Sequence, residues 1–163
     1  ETLAITSGLA PGYKRVLNDV EGSDVDPLFY SSADDQEKHL AIAISNLNAV
    51  FKSGEIVILS MRSDDNSCAG RVSPGSVGVR LAPIRQVLDG QTIPFASIHA
   101  FKGLEAPAVI ITDIDNLDDE RTRCLLYVGM SRARIRLFML MHERCRASYN
   151  RILDAGFAIS SRK

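Results

Sequence analysis

S-I-H-A-F-K-G-L-E-A-P-A-V-I-I-T-D, Ser97 to Asp113, joins a polar, glycine-kinked loop directly to a run of apolar and β-branched residues. The run, Ala108 to Ile111, has the character of a strand buried on both faces, which points to a parallel sheet. In such sheets the polar groups that meet ligands sit in loops at strand ends. Lys102, Gly103 and Glu105 fall within four residues of one another, which is unusual for a segment that only connects. A second stretch, L-L-Y-V-G-M-S-R-A-R from Leu125 to Arg134, follows closely and is read with the first.

The rest of the chain supplies alternating strands and helices. Pro27 to Ser31 reads as a strand, and Ser32 is placed to cap a helix carrying acids at Asp34, Asp35 and Glu37. Leu40, Ile44, Leu47 and Phe51 recur at helical spacing, and this helix is expected to end at Gly54. Strands are expected over Ile56 to Met61, Val79 to Leu81, Pro94 to Ile98, Pro107 to Thr112 and Ile135 to Met141, with a further short one near Tyr13 to Leu17. Ser63 to Ser67 can start a short helix that places Cys68 and Ala69 inward, and Ile84 to Leu88 reads as a turn or short helix. Leu117 to Ser131 reads as a helix with little polar face, hence sandwiched, and Glu143 to Leu153 as a final helix ending at Gly156. The fold class is therefore α/β, a mostly parallel sheet with helices on both faces.

The chain has 163 residues, a length that fits one domain spanning 1–163. A net charge of -1 with 24% charged residues excludes a strongly basic protein that coats nucleic acid, though not a local patch. Cys68, Cys124 and Cys145 are odd in number and lack zinc-site spacing, so a disulfide framework is not expected and a reducing, cytoplasmic setting is. The apolar runs are strand-length, too short to span a bilayer. The chain opens on Glu1 rather than Met, which suggests a fragment of a longer protein.

Together the two stretches resemble the second RecA-like domain of superfamily 1 DNA helicases of the UvrD/Rep type. S-I-H-A-F-K-G-L-E is similar to that family's motif V, T-x-H-x-x-K-G-L-E, and L-Y-V-G-M-S-R-A-R to its motif VI. They stand in the family's order, about twenty residues apart. The resemblance is sharp from Pro94 to Met141 and looser upstream. It implies a RecA-like sheet, akin to that of P-loop NTPases but without the phosphate-cradling loop, since G-x-x-x-x-G-K-[ST] occurs nowhere in the chain.

The resemblance also assigns roles. Arg132 would be the arginine finger that reaches the γ-phosphate of ATP held by a first RecA-like domain absent from this chain, a device worth about a thousandfold or more in rate. Glu105 would accept from the ribose hydroxyl, Lys102 would approach the phosphates, and Gly103 would permit the tight turn. Ser97 and His99 would contact the backbone of single-stranded DNA without reading sequence. Mg²⁺ would be held by acids of the first domain, leaving Asp113 and Asp115 as loop carboxylates or partners for Arg132. The family's N-Y-R-S stretch has no convincing counterpart; Tyr13-Lys14-Arg15 is a poor one.

Each assignment has a plainer counterpart. Arg132 can be a surface arginine pairing with Asp118 or Glu120, Lys102 and Glu105 can be solvated loop residues, and His99 can be a satisfied structural histidine. Tyr127 reads as core with its hydroxyl bonded, and Arg134 as surface or interdomain. Two other functions remain open: a non-catalytic RecA-like module that regulates a partner, or a small nucleotide-binding α/β enzyme complete in itself.

Overall fold

The computed structural model describes residues 25–86 and 89–160. The expected strand near Tyr13 to Leu17 and the Tyr13-Lys14-Arg15 stretch lie outside these residues. The strands are β1 (Val25–Tyr30), β2 (Ile56–Ser60), β3 (Leu81–Pro83), β4 (Ile93–Ser97), β5 (Ala106–Ile114) and β6 (Ala133–His142). Interleaved with them are α1 (Ala33–Asn48), the single turn α2 (Cys68–Arg71), α3 (Glu120–Met130) and α4 (Arg146–Ser160). All strand pairs are parallel, in the order β1-β6-β5-β2-β4-β3.

Strand periodicity divides the core between two faces. Along β5, Ala108 and Ile110 point to one side with Leu40, Ala43, Ile44 and Leu47 of α1. Val109 and Ile111 point to the other, with Leu126 and Met130 of α3 and Tyr149 of α4. Helix α1 begins as its sequence dictates: the Ser32 side chain accepts from Asp35 N, and Asp34 and Asp35 oppose the helix dipole. It ends at Asn48 rather than Gly54, so Phe51 packs on that core from beyond the helix.

Parallel neighbours need the chain to return over the sheet, usually through a helix. Between β4 and β5 it does so in eight residues, 98–105, with β2 lying between the two strands. No helix fits. Consecutive turns serve instead, closed by Ala100 N and Phe101 N donating to Ser97 O and by Leu104 N donating to Phe101 O. Ile98 and Phe101 are buried on the α3 face, while His99, Lys102 and Leu104 remain exposed.

Several expectations are corrected. Helix α3 is shorter than Leu117 to Ser131 and is not sandwiched: Leu126, Gly129 and Met130 are buried, whereas Cys124 and Val128 face outward. Its apolar residues outnumber those one buried face requires, which is what misled the reading. Strand β3 sits two residues later than expected, and α4 continues through Gly156, whose isolated glycine does not stop the helix.

Asp113 is neither a loop carboxylate nor a partner of Arg132. It is 3% exposed inside β5, at a register shift against β6, with φ 62°. Aspartate tolerates this left-handed conformation better than most residues. The bulge turns its carboxylate inward, where Ser60 Oγ (2.7 Å), Thr112 Oγ1 (2.8 Å) and Cys68 N (3.0 Å) donate to it. Gln36 Nε2 at 3.4 Å and Arg71 at 3.6 Å complete the shell. One carboxylate thus joins β2, β5, α1 and α2. Asp115, just beyond β5, takes hydrogen bonds from Tyr30 (3.0 Å) and Arg62 (2.5 Å) and pairs with Arg144 (3.2 Å).

Asp113→Ala removes a charge-bearing acceptor from four buried donors and keeps the backbone strain, so it is expected to cost about 3 kcal/mol. Asp113→Gly relaxes the strain and should be about 1 kcal/mol more stable than the alanine variant. Urea denaturation of the three proteins measures both differences.

Candidate functional site

The two motif stretches meet at the amino ends of β5 and β6. Ala106 N donates to Arg132 O at 3.0 Å, and Ala106 faces Ala133 in the strand register. This pairing places the end of the glycine-kinked crossover against the end of α3. Helix α3 starts where Asp119 accepts from Thr122 N and Oγ1, and it stops where Ser131 N donates to Tyr127 O.

Between the crossover and α3 lies a cavity of about 540 Å³ lined by Ile98, His99, Lys102, Arg121, Cys124, Leu125, Val128 and Arg132. Its floor is apolar and its rim cationic. The floor comes close because Gly129 has no side chain: a Cβ there would lie 2.8 Å from Ile98 Cδ1 and 3.2 Å from Ile111 Cδ1. The missing methyl lets α3 settle onto the crossover and the sheet together.

The Arg132 guanidinium folds over the carbonyl end of its own helix. Its Nε donates to Val128 O (3.1 Å), Nη2 to Ser131 Oγ (2.9 Å) and Nη1 to Leu104 O (3.4 Å). Neither Asp118 nor Glu120 is its partner; Asp118 accepts from Ser148 Oγ and Arg151. Among the described residues no ion pair involves Lys102, Arg121 or Arg132. A helix carboxyl end is a favourable seat for a cation, and its neutral carbonyls give way readily to charged phosphate oxygens.

Gly103 has φ +83°, and a Cβ there would meet nothing within 4 Å. Its requirement is conformational, not spatial. Glu105 is exposed and does not line the cavity. Ser97 ends β4 at the opposite, carboxyl edge of the sheet, where its N–H donates to Asp64 Oδ1 (2.7 Å) and its Oγ accepts from Ala100 N. His99 follows on the crossover and joins Lys102 and Arg132 in the one cavity, so His99, assigned to DNA, and Lys102, assigned to nucleotide, are separated by a single short turn. Tyr127 packs against the core and Arg134 is exposed.

Sequence reasoning missed Arg121 and Asp64. Arg121 could have been found from its helical spacing with Leu125, Val128 and Arg132; Asp64 carried no local signal, because its contact is with a strand more than thirty residues away. A larger cavity, about 740 Å³, lies between Asp64 and β3 and is lined by Gly70, Val79, Leu81 and Phe95 among others. Among the described residues no cluster of three His, Cys, Asp or Glu side chains could hold a metal ion.

Residues 95–140, which hold both stretches, match the UvrD-like helicase C-terminal domain. The ATP-dependent DNA helicase Rep of Buchnera aphidicola subsp. Acyrthosiphon pisum (strain APS) is 37% identical over 89 residues, covering 44% of this chain. The chain spans 14% of that relative's length. The C-terminal domain of a possible DNA helicase from Lactobacillus plantarum WCFS1 superposes with a TM-score of 0.65 over 86% of this chain and 83% of its own, at 18% identity, a likeness of fold.

Burial pushes the Cys68 thiol up to about 12, helped by the Asp113 carboxylate, and the Cys145 thiol up to about 11. Cys124 is exposed in the cavity. At pH 8 Ellman's reagent should therefore titrate one thiol per folded chain and three after urea denaturation. Gly103→Ala should lower stability by about 1 kcal/mol through its backbone angle alone, readable as a shift of the urea midpoint.

Proposed function

Because the chain carries a C-terminal helicase domain of the UvrD/Rep type, we propose that it is the second motor domain of an ATP-dependent superfamily 1 DNA helicase or translocase. The observation that carries this reading is the convergence of Lys102, Arg132 and His99 on one cavity, with Arg132 held by neutral carbonyls and no acid. A guanidinium so held keeps its charge available to a phosphate brought from outside the domain.

ATP would bind between this domain and a first RecA-like domain, which supplies the phosphate loop and the acids for Mg²⁺. On closure Arg132 leaves Val128 O and Leu104 O for the γ-phosphate and stabilises the charge that develops as the phosphoryl group transfers. Lys102 offers a compact charge to the phosphate oxygens. Gly103 sets the turn that brings Lys102 forward, and Glu105, at the exposed end of the crossover, would accept from the ribose hydroxyl.

Single-stranded DNA would lie against Ser97 and His99. The Ser97 N–H is already committed to Asp64, so the residue presents its hydroxyl to a phosphate oxygen. Since His99 and Lys102 share the one eight-residue crossover, which runs on directly from Ser97, closing on ATP shifts the grip on DNA. Repeated closure and opening becomes translocation.

The test is ATP hydrolysis by the intact protein with and without single-stranded DNA, comparing wild type with Arg132→Ala. DNA should stimulate turnover, and the substitution should lower kcat about a thousandfold while nucleotide affinity changes little. Absence of turnover in the wild type, or an Arg132→Ala protein of normal rate, overturns the motor reading in favour of a non-catalytic regulatory module.

A further inference from the structure

We infer that Arg121 is a further phosphate-binding residue of the cavity, acting at the end opposite Arg132; the inference rests on the proposed reading of that cavity as a site for phosphorylated ligands. Arg121, Leu125 and Val128 stand at i, i+4 and i+7 on one face of α3, Arg132 follows two residues past the helix end, and all four line the cavity. At about 1.5 Å per residue the helix rises roughly 14 Å from Arg121 to Met130, and Arg132 lies just past that end. The helix runs back from the carboxyl end of β5 to the amino end of β6. Arg121 is therefore at the same edge of the sheet as Ser97, with His99 just beyond it on the crossover, and Arg132 is at the other.

The surroundings of Arg121 leave its charge unspent. Glu120, the acid next to it in sequence, forms no ion pair with it among the described residues, and Asp119, two residues back, is occupied as the helix cap by Thr122 N (2.9 Å) and Thr122 Oγ1 (3.0 Å). Those Thr122 bonds are the main cause of its depressed pKa, and the Arg121 charge is a lesser one. Asp118 is turned toward Ser148 and Arg151. Across the cavity the crossover presents His99 and Lys102 and no carboxylate.

Cationic ends over an apolar floor of Ile98, Leu125 and Val128 form a trough that attracts a polyanion and repels a cation. The arginine fork suits phosphate oxygens because it is planar, always charged and able to donate two parallel hydrogen bonds. Arg121 thus takes either a second phosphate of a nucleotide whose γ-phosphate meets Arg132, or a phosphodiester of a strand held at His99. The chemistry is the same and the sources can be separated by measurement.

Arg121→Gln and Arg121→Lys are made in the intact protein beside Arg132→Ala. The KM for MgATP is read from steady-state hydrolysis, and affinity for fluorescein-labelled oligothymidylate from anisotropy across a salt series. The glutamine variant should raise one of the two constants about tenfold, with lysine recovering most of the loss, as expected for a lost charged hydrogen bond. A rise in KM identifies the nucleotide as the source. A fall in oligothymidylate affinity, with a salt slope shallower by about 0.7, identifies the strand.

If Arg132→Ala lowers turnover but Arg121→Gln moves neither constant, the motor reading stands and the Arg121 assignment is overturned. An intact protein that neither hydrolyses ATP nor binds the oligonucleotide overturns both.

Discussion

The return from β4 to β5 in eight residues is the constraint on which the rest of the structure depends. Two parallel strands flank β2, and the chain must travel back along the sheet with too few residues for a helix. A segment built from turns cannot hide its backbone in regular hydrogen bonding, so it fastens itself by side chains. Ile98 and Phe101 go into the core, and the residues between and beyond them are left facing out. His99 and Lys102 are thereby presented by the same geometry that anchors the crossover. The pairing of Ala106 with Arg132 O then brings the end of α3 to the same place.

Two carboxylates organise the other edge of the sheet in different ways. Asp113 is a buried structural hub whose charge is met by donors from four elements, while Asp115 collects Tyr30, Arg62 and Arg144 at the surface. Both lie at the end of the central strand. Their partners place them as braces between strands and helices, and the cavity on the α3 face contains no acid at all. The domain separates the charge that holds it together from the charge it offers outward.

Much of this was legible in the sequence because it rests on local periodicity. The α1 stripe of Leu40, Ile44 and Leu47, the cap at Ser32 and the buried run in β5 are read from neighbours in the chain. Gly103 was legible too, since a glycine between Lys102 and Leu104 signals a left-handed turn, and φ is +83° there. Asp113 was misread because a β-bulge is a property of the pairing with β6, not of the strand's own residues. The outward faces of Cys124 and Val128 were misread because apolar composition alone does not say how many faces of a helix are covered. Asp64 was out of reach, as its contact with Ser97 exists only after β2 and β4 pair.

Gly129 gives the cavity its depth. Because Ile98 Cδ1 and Ile111 Cδ1 lie only 2.8 and 3.2 Å from where its Cβ would be, α3 sits as low over the sheet as two backbones and two isoleucine tips permit. Any larger residue would lift the helix and, with it, the cationic rim on which Arg121 and Arg132 ride, while the crossover stayed pinned by Phe101. The distance between the two walls is therefore set at a position that touches no ligand, and a lineage could retune the groove for a bulkier or slimmer occupant by changing one buried atom.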